Sequence, residues 1–394
     1  METRRDRFRS QLARLDGAGN PQDAIDAGLY VPRPTSSERL VRRIALRPGA
    51  TRVITGPIGS GKSTELLVLA EALGEVSDIR AFVVDVSEVH DLSGLKEGSL
   101  VAAAGVWLDK KLGLGSAASK LRALAYNQPS VSTILIDALT KNVRHSGPPS
   151  GGVLTPPQRH TSTAWQHANL LHKAIFSRDE MSGCTPVLLF DSLDRVRDPA
   201  GFRVVVEKDA QALVARGFGV VLTAPVDTLW LGSEELRNLT DSWDTLPYED
   251  PRHDEGARDF LLEILRRRSD ATLLDEQCSL ALVQASGGVL RDLIELTRTA
   301  VEEAYLNGLD AVTHTEVEAS IARFARSLST GLDDLAVSRL KMVQGQRRIT
   351  RFDQLSLTLL KNRQLLEHRD ASSNSYFEPH PSLENMLAQW AEAS

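Results

Sequence analysis

Cysteine is nearly absent. The chain has only Cys184 and Cys278, far apart and without further ligand residues at metal-binding spacing. That excludes a disulfide framework and a zinc cluster, and it suits a reducing compartment. The histidines His160, His167 and His172 have neither i,i+4 spacing nor acidic companions, so they offer no metal site. No apolar run approaches the ~20 residues of a membrane span. The first residues, METRRDRFRSQLARLDG, are charged and lack the apolar stretch of a signal peptide. An excess of positive charge is missing too. The 46 Lys and Arg stand against 52 Asp and Glu, a net charge of −6. This argues against a whole-protein polyanion binder and leaves room for a local basic patch. The expectation is a soluble, cytoplasmic protein without membrane contact.

What remains is an ordinary globular composition, 42% apolar and 25% charged, over 394 residues, enough for two or three compact units. The strongest local signal is TRVITGPIGSGKSTELLVLAEAL. Arg52 to Thr55 is a short β-branched run. From Lys62 to Leu73, apolar residues recur at helical spacing. Between them Gly56-Pro-Ile-Gly59-Ser60-Gly61-Lys62-Ser63 completes the pattern G-x-x-x-x-G-K-[ST]. The glycines let successive N–H groups face one anion at the positive end of the next helix. Lys62 reaches the β- and γ-phosphates, the Ser63 hydroxyl suits Mg²⁺, and Thr64 lies beside the α-phosphate. The stretch is a nucleotide-binding loop for ATP and Mg²⁺.

The rest of the chain alternates. RAFVVDV (80–86), TPVLLFD (185–191) and GVVLTAP (219–225) read as buried strands, DSWDTLPYED (241–250) holds room for another, and helical patterns lie between. Continuous apolar strands separated by helices predict an α/β fold, a P-loop NTPase parallel sheet with helices on both faces. A helical lid and a C-terminal winged helix follow it. After Asp254 come three amphipathic helices, then helix, helix, two strands (QLLEHRD and SYFEPH) and a closing helix, the order of a winged helix. The expected division is an N-terminal helix and polar arm over 1–30, the ATPase core over 31–250, the lid over 251–327 and the winged helix over 328–394. The core includes a helical insertion and a proline- and glycine-rich surface loop near 145–162.

On these residues the chain resembles the AAA+/STAND group of P-loop ATPases, in appearance nearest the STAND-type and replication-initiator ATPases, over about residues 30 to 394. Beside the phosphate loop, VLLFDSLDR resembles the hhhhD-x-x-D form of the group's second motif, and VVLTAP stands where its sensor strand does. LPYEDPRHDEGARDFLLEILRRR resembles the initiators' turn and first lid helix, and SGGVLRDLIELTRTA their arginine-bearing lid helix. The resemblance implies that Asp191 holds Mg²⁺ through water, that Thr223 is a polar sensor and that Arg291 senses the phosphates. It also exposes a gap. Many relatives place a water-orienting glutamate where this chain has Ser192. NACHT-type members have a small residue there and a second aspartate where Asp194 lies, so Asp194 is the implied base of a slow hydrolysis. The alternative is that Asp194 caps the next helix or pairs with Arg195, in a site that binds ATP with little turnover. Arg237 falls near the family's intersubunit arginine and also reads as a solvated surface residue; Arg33 falls near the adenine.

A basic stripe of Arg339, Lys341, Arg347, Arg348, Arg351, Lys361 and Arg363 is opposed within its span only by Asp353. It suits either phosphate-backbone contacts or packing against the core. Packing is the favoured reading, since aromatic residues to stack on bases are scarce. The expected function is an ATP-driven switch that controls a partner protein, a homo-oligomer or a DNA assembly. The alternative is a DNA-binding regulator with a mainly structural nucleotide. A small-molecule kinase would leave the lid and winged helix unexplained.

Overall fold

The computed structural model describes residues 3–15, 21–33, 37–115, 119–121, 162–230, 234–350, 352–370 and 372–392. The expected loop near 145–162, apart from Ser162, lies outside them, as do His160 and Arg351. Helices α1 (Arg4–Leu15), α2 (Pro21–Asp26) and α3 (Ser37–Leu46) precede β1 (Thr51–Thr55) and α4 (Lys62–Gly74). Then come β2 (Ile79–Asp85), α5 (Ser99–Leu112), α6 (Thr163–Phe176) and β3 (Thr185–Asp191). The sequence pattern starts the next helix near Asp209. It begins earlier, with α7 (Pro199–Val204), a π-helical turn (Val205–Ala210) and α8 (Gln211–Val214). Asp198 caps that start through the Ala200 and Gly201 amides, with proline at the first helical position. Strand β4 (Gly219–Ala224), α9 (Asp227–Trp230), α10 (Glu234–Asn238) and β5 (Ser242–Thr245) complete the α/β part.

The strands form one sheet in the order β2-β3-β4-β1-β5, every pair parallel. Alternate residues of the inner strands enter different cores, as a sheet covered on both faces requires. Val187, Leu189 and Val221 pack with Leu66, Leu69 and Leu73 of α4 and Ile44 of α3. Leu188, Phe190, Val220 and Leu222 pack with Leu100 and Leu108 of α5, Leu171 of α6 and Phe202 of α7. The chain is thus an α/β P-loop NTPase fold. Because β1 lies between β4 and β5 while its helix leads to β2 at the far edge, the carboxyl ends of β1 and β3 flank that of β4, on the edge where open α/β sheets bind ligands.

The remainder is mostly helical, with one two-stranded sheet near its end. Helices α11 (Glu255–Arg268), α12 (Glu276–Ala285), α13 (Leu290–Leu306) and α14 (His314–Leu328) follow β5. Helix α14 is additional to the three amphipathic helices singled out in the sequence. It starts with a capping box between Thr313 and Glu316. Helices α15 (Asp334–Gln346) and α16 (Gln354–Lys361), antiparallel β6 (Leu365–Arg369) and β7 (Ser375–Pro379), and α17 (Glu384–Glu392) end the chain. Their Leu340, Leu360, Phe377 and Leu387 share one apolar cluster with Leu261, Leu296 and Val317 from the preceding helices. Phe8 and Leu15 of α1 join that same cluster. Helix α1 is therefore docked, and the Arg4 guanidinium donates to the Ala304 and Tyr305 carbonyls at the end of α13. Among the described residues no helix is long and apolar enough to cross a membrane.

Candidate nucleotide-binding site

Strand β1 delivers the phosphate loop at the carboxyl edge of the sheet. Gly59 and Gly61 have φ of +86° and +92°, the left-handed region that glycine enters without steric cost. At Gly56 a Cβ would come 2.4 Å from the Leu246 carbonyl oxygen, so only glycine lets the chain leave the strand here. The loop carbonyls are held. Lys62 Nζ lies 2.9 Å from the oxygens of both Gly56 and Pro57. The Tyr248 hydroxyl donates to the Ile58 oxygen at 2.6 Å, and Arg33 donates to the Ser60 oxygen. Peptide carbonyls engaged in this way leave their N–H groups to the inner side of the curl, which a phosphate fits. The Ser60 hydroxyl is fully buried with no hydrogen-bond partner among the described residues, a further polar atom that a phosphate oxygen would satisfy.

Strand β3 brings the opposing carboxylates. Asp191 is buried, accepts the Ser63 hydroxyl and accepts the Ser192 amide at 2.7 Å. Burial raises its pKa above the ordinary carboxylate value, Asp194 and Asp85 add repulsion, and the two hydrogen bonds only partly oppose them. A carboxylate in that condition gains from a divalent cation, and with the Ser63 hydroxyl it forms a donor set suited to Mg²⁺. Asp194, on a 3₁₀ turn, forms an ion pair with Lys62 at 2.9 Å. Its partner is the phosphate-loop lysine rather than Arg195, because the turn after β3 swings it back across the sheet edge.

Thr223 of β4 is fully buried. Its hydroxyl accepts the Leu193 amide at 3.0 Å and lies 3.3 Å from the Phe190 carbonyl oxygen, so it fixes the turn that carries Asp191 and Asp194. Arg291, at the start of α13, is exposed, and its side chain makes no hydrogen bond or ion pair among the described residues. A Cβ on Gly59 would lie 3.2 Å from the Arg291 Cβ, which places that residue against the phosphate loop. Thr64 occupies the first turn of α4, half-buried.

Arg33 is buried beneath the loop, paired with Glu65 at 3.6 Å and Glu249 at 3.2 Å. Burial raises the pKa of both acids, with the Arg33 charge opposing. Arg237 is exposed on α10. The sequence reading did not single out Asp85, paired in register with Asp191 across β2 and β3, or the phosphate-loop contact of Tyr248. An apolar run ending in aspartate occurs twice, as FVVD and as LLFD, and the repetition was the available signal.

Most of the basic stripe is engaged within the chain. Arg339 pairs with Asp353 at 2.9 Å and Arg347 with Glu378 at 2.7 Å. Lys361 reaches the buried Asp227 beyond β4 at 2.5 Å, and Arg363 reaches the fully buried Asp292 of α13 at 2.8 Å. The ring nitrogen Nδ1 of His368 in β6 donates to the Tyr248 carbonyl at 3.3 Å. The last segment therefore touches the α/β part through Asp227, helix α13 through Asp292 and the phosphate loop at one remove through Tyr248. Arg348 is exposed without an ion pair among the described residues.

No family model matches the sequence, and no curated protein matches it. Among solved structures the chain is similar to the Walker-type ATPase of Pyrococcus abyssi, at 15% identity over 91% of this chain and 99% of that one, TM-score 0.48. It is also similar to the Aeropyrum pernix ORC1 protein solved in complex with DNA, at 14% identity over 93% and 96% of the chains, TM-score 0.46. A third similar structure is the Thermotoga maritima RuvB Holliday junction branch migration motor, at 12% identity over 90% and 92% of the chains, TM-score 0.43.

Proposed function

We propose that the chain is an ATP-binding and slowly hydrolysing switch of the AAA+/STAND type, whose last segment, 328–394, is a winged helix that reports the nucleotide state to a partner. One observation carries this reading: Lys62 and Ser63 of the phosphate loop each meet a carboxylate at the carboxyl end of β3, Asp194 from the turn after it and Asp191 from its last position. A triphosphate in the curl draws the Lys62 ammonium toward its β- and γ-oxygens and away from Asp194. Ser63 and Asp191 would hold Mg²⁺, which supplies neutralising charge at the phosphates. The Asp194 carboxylate, freed from Lys62, is then available to a water near the γ-phosphate. Arg291, whose Cβ lies against the same loop, is suited to read the terminal phosphate.

Coupling to the last segment is supported by Tyr248, which holds Ile58 of the loop on one side and the His368 ring on the other. Ligands shift such an equilibrium only through differential contacts in the two states. Here the contacts at stake are Arg363 with Asp292 and Lys361 with Asp227. Their engagement favours packing, and a protein partner or second copy, over a DNA-reading stripe. The test is sizing of the protein with ADP, ATP and a non-hydrolysable ATP analogue, each with and without duplex DNA. The switch reading expects a nucleotide-dependent change in shape or assembly; identical profiles under every condition contradict it.

A further inference from the structure

Strand β2 lies at one edge of the sheet, and among the described residues no further strand pairs with it. The Asp78 carbonyl accepts the Thr185 amide of β3 at 2.8 Å. In a parallel pair the residues that bond the neighbour alternate. The backbones of Arg80, Phe82 and Val84 therefore face β3, and those of Ala81 and Val83 face outward. The outward N–H and C=O groups of Ala81 and Val83 have no hydrogen-bond partner among the described residues. Proteins blunt such edges with charge, proline or brevity. The opposite edge is blunted: β5 has four residues and carries Asp244, paired with Arg43. Strand β2 has seven, and its run Ala81-Phe82-Val83-Val84 contains neither charge nor proline.

A groove of about 430 Å³ lies along this edge. Ile25 of α2 with Leu67 and Ala70 of α4 forms one wall, on the side of the Ala81 and Val83 side chains, and the exposed Asp26 and Glu71 belong to the same wall. Phe82 and Trp107 of α5 form the other, where the Lys111 ammonium lies 5.3 Å from the Trp107 ring centre. The side chains of a strand laid here would alternate between the two walls. A lysine or arginine suits the first, its stem along the apolar residues and its charge at Asp26 or Glu71. An apolar side chain suits the second. A second copy paired antiparallel about a two-fold axis would instead bring Asp26 and Glu71 toward the same acids of its mate, a like-charge contact that disfavours it.

We propose that the outer edge of β2 is the docking site for an extended segment of a partner protein. The segment joins the sheet as a further strand, with basic side chains over α2 and α4 and apolar side chains over Phe82 and Trp107. Backbone pairing gives such a contact its affinity, and the alternate side chains give it selectivity. Docking here requires no nucleotide, so its loss and the loss of MgATP binding are read separately.

The test is fluorescence anisotropy of a labelled peptide of about eight residues, alternating lysine and valine, titrated with the full chain. Saturable binding is expected, and about tenfold weaker binding of the peptide with glutamate in place of lysine. In the double variant Asp26→Lys and Glu71→Lys that preference is expected to reverse. Two further peptides are methylated at the lysine or at the valine backbone nitrogens. One of the two, set by the direction of the added strand, is expected to bind at least about tenfold more weakly than the parent. The protein is unchanged in this arm, so no variant has to fold. Val83→Pro removes an outward N–H at an edge position that tolerates proline, and is expected to weaken binding as much. No saturable binding of the lysine peptide, parent-like binding of both methylated peptides, or a charge preference indifferent to Asp26 and Glu71 overturns the proposal. Self-association of the wild type that Val83→Pro abolishes also overturns it and assigns the edge to a second copy.

Discussion

Arg363 reaches Asp292 at 2.8 Å, and the aspartate is fully buried. The arginine follows α16 with φ of +61°, so its backbone turns sharply to aim the guanidinium at α13. Nearby, His380 Nε2 lies 3.5 Å from the same carboxylate and makes no hydrogen bond among the described residues. Arg363→Asn keeps a residue that tolerates the left-handed backbone and removes the charge. Leaving a buried carboxylate unpaired costs about 3–5 kcal/mol. The expected result is a loss of that size in urea unfolding, largely recovered by adding Asp292→Leu. A loss below about 1 kcal/mol would mean that the pair is solvated and holds nothing together.

Gly288 carries a different kind of constraint. A Cβ there would lie 1.6 Å from the Glu249 carbonyl oxygen, backbone against backbone, at φ of +79°. Gly308 has φ of +76° with nothing near its Cβ position. Gly308→Ala is expected to cost about 1–2 kcal/mol, the strain alone. Gly288→Ala is expected to fail to fold or to lose several times as much. Equal midpoints for the two variants in thermal unfolding would contradict the close approach of α13 to the turn after β5.

Asp191 gives a prediction with opposite signs for stability and binding. Burial raises its pKa, so ionising it in the folded chain costs stability once the pH is above that value. Asp191→Asn removes the cost. The variant is expected to melt at or above the wild-type temperature without ligand and to lose the stabilisation that MgATP gives. Scanning calorimetry with and without MgATP reads both effects. A variant that melts lower and still responds to MgATP would remove Asp191 from the site.

Asp209 supplies a pH dependence. Its carboxylate, wholly buried in the π turn, accepts the Gly98 and Leu100 amides at 2.8 Å each, and burial pushes its pKa up to about 7. The folded chain then holds this proton more tightly than the unfolded chain does. The associated stability is complete below about pH 4 and is lost as the pH rises through about 7. Relative to Asp209→Asn, the wild-type denaturation midpoint is expected to fall between about pH 5 and 8. A constant difference across that range would contradict it.

Much of this was legible in the sequence, and the limits have physical causes. The phosphate loop depends on glycines and a lysine at fixed spacing, which sequence displays directly. The apolar strands ending in Asp191 and Thr223 were equally plain. A short N-terminal helix was expected, but its docking was not legible, because Phe8, Gln11 and Leu15, its buried face, are outnumbered by five arginines in α1. The engagement of Lys361 and Arg363 was hidden because Asp227 and Asp292 lie far away in sequence and meet them only once the chain is folded. The place of β2 at an edge depends on the strand order, a fact of topology that no local pattern encodes.

The most direct measurement is titration calorimetry of MgATP into the wild type and Lys62→Ala. The account predicts saturable one-to-one binding to the wild type, dependent on Mg²⁺, and its loss in a folded Lys62→Ala variant. No heat of binding in the wild type, or binding that is indifferent to Lys62, would contradict it.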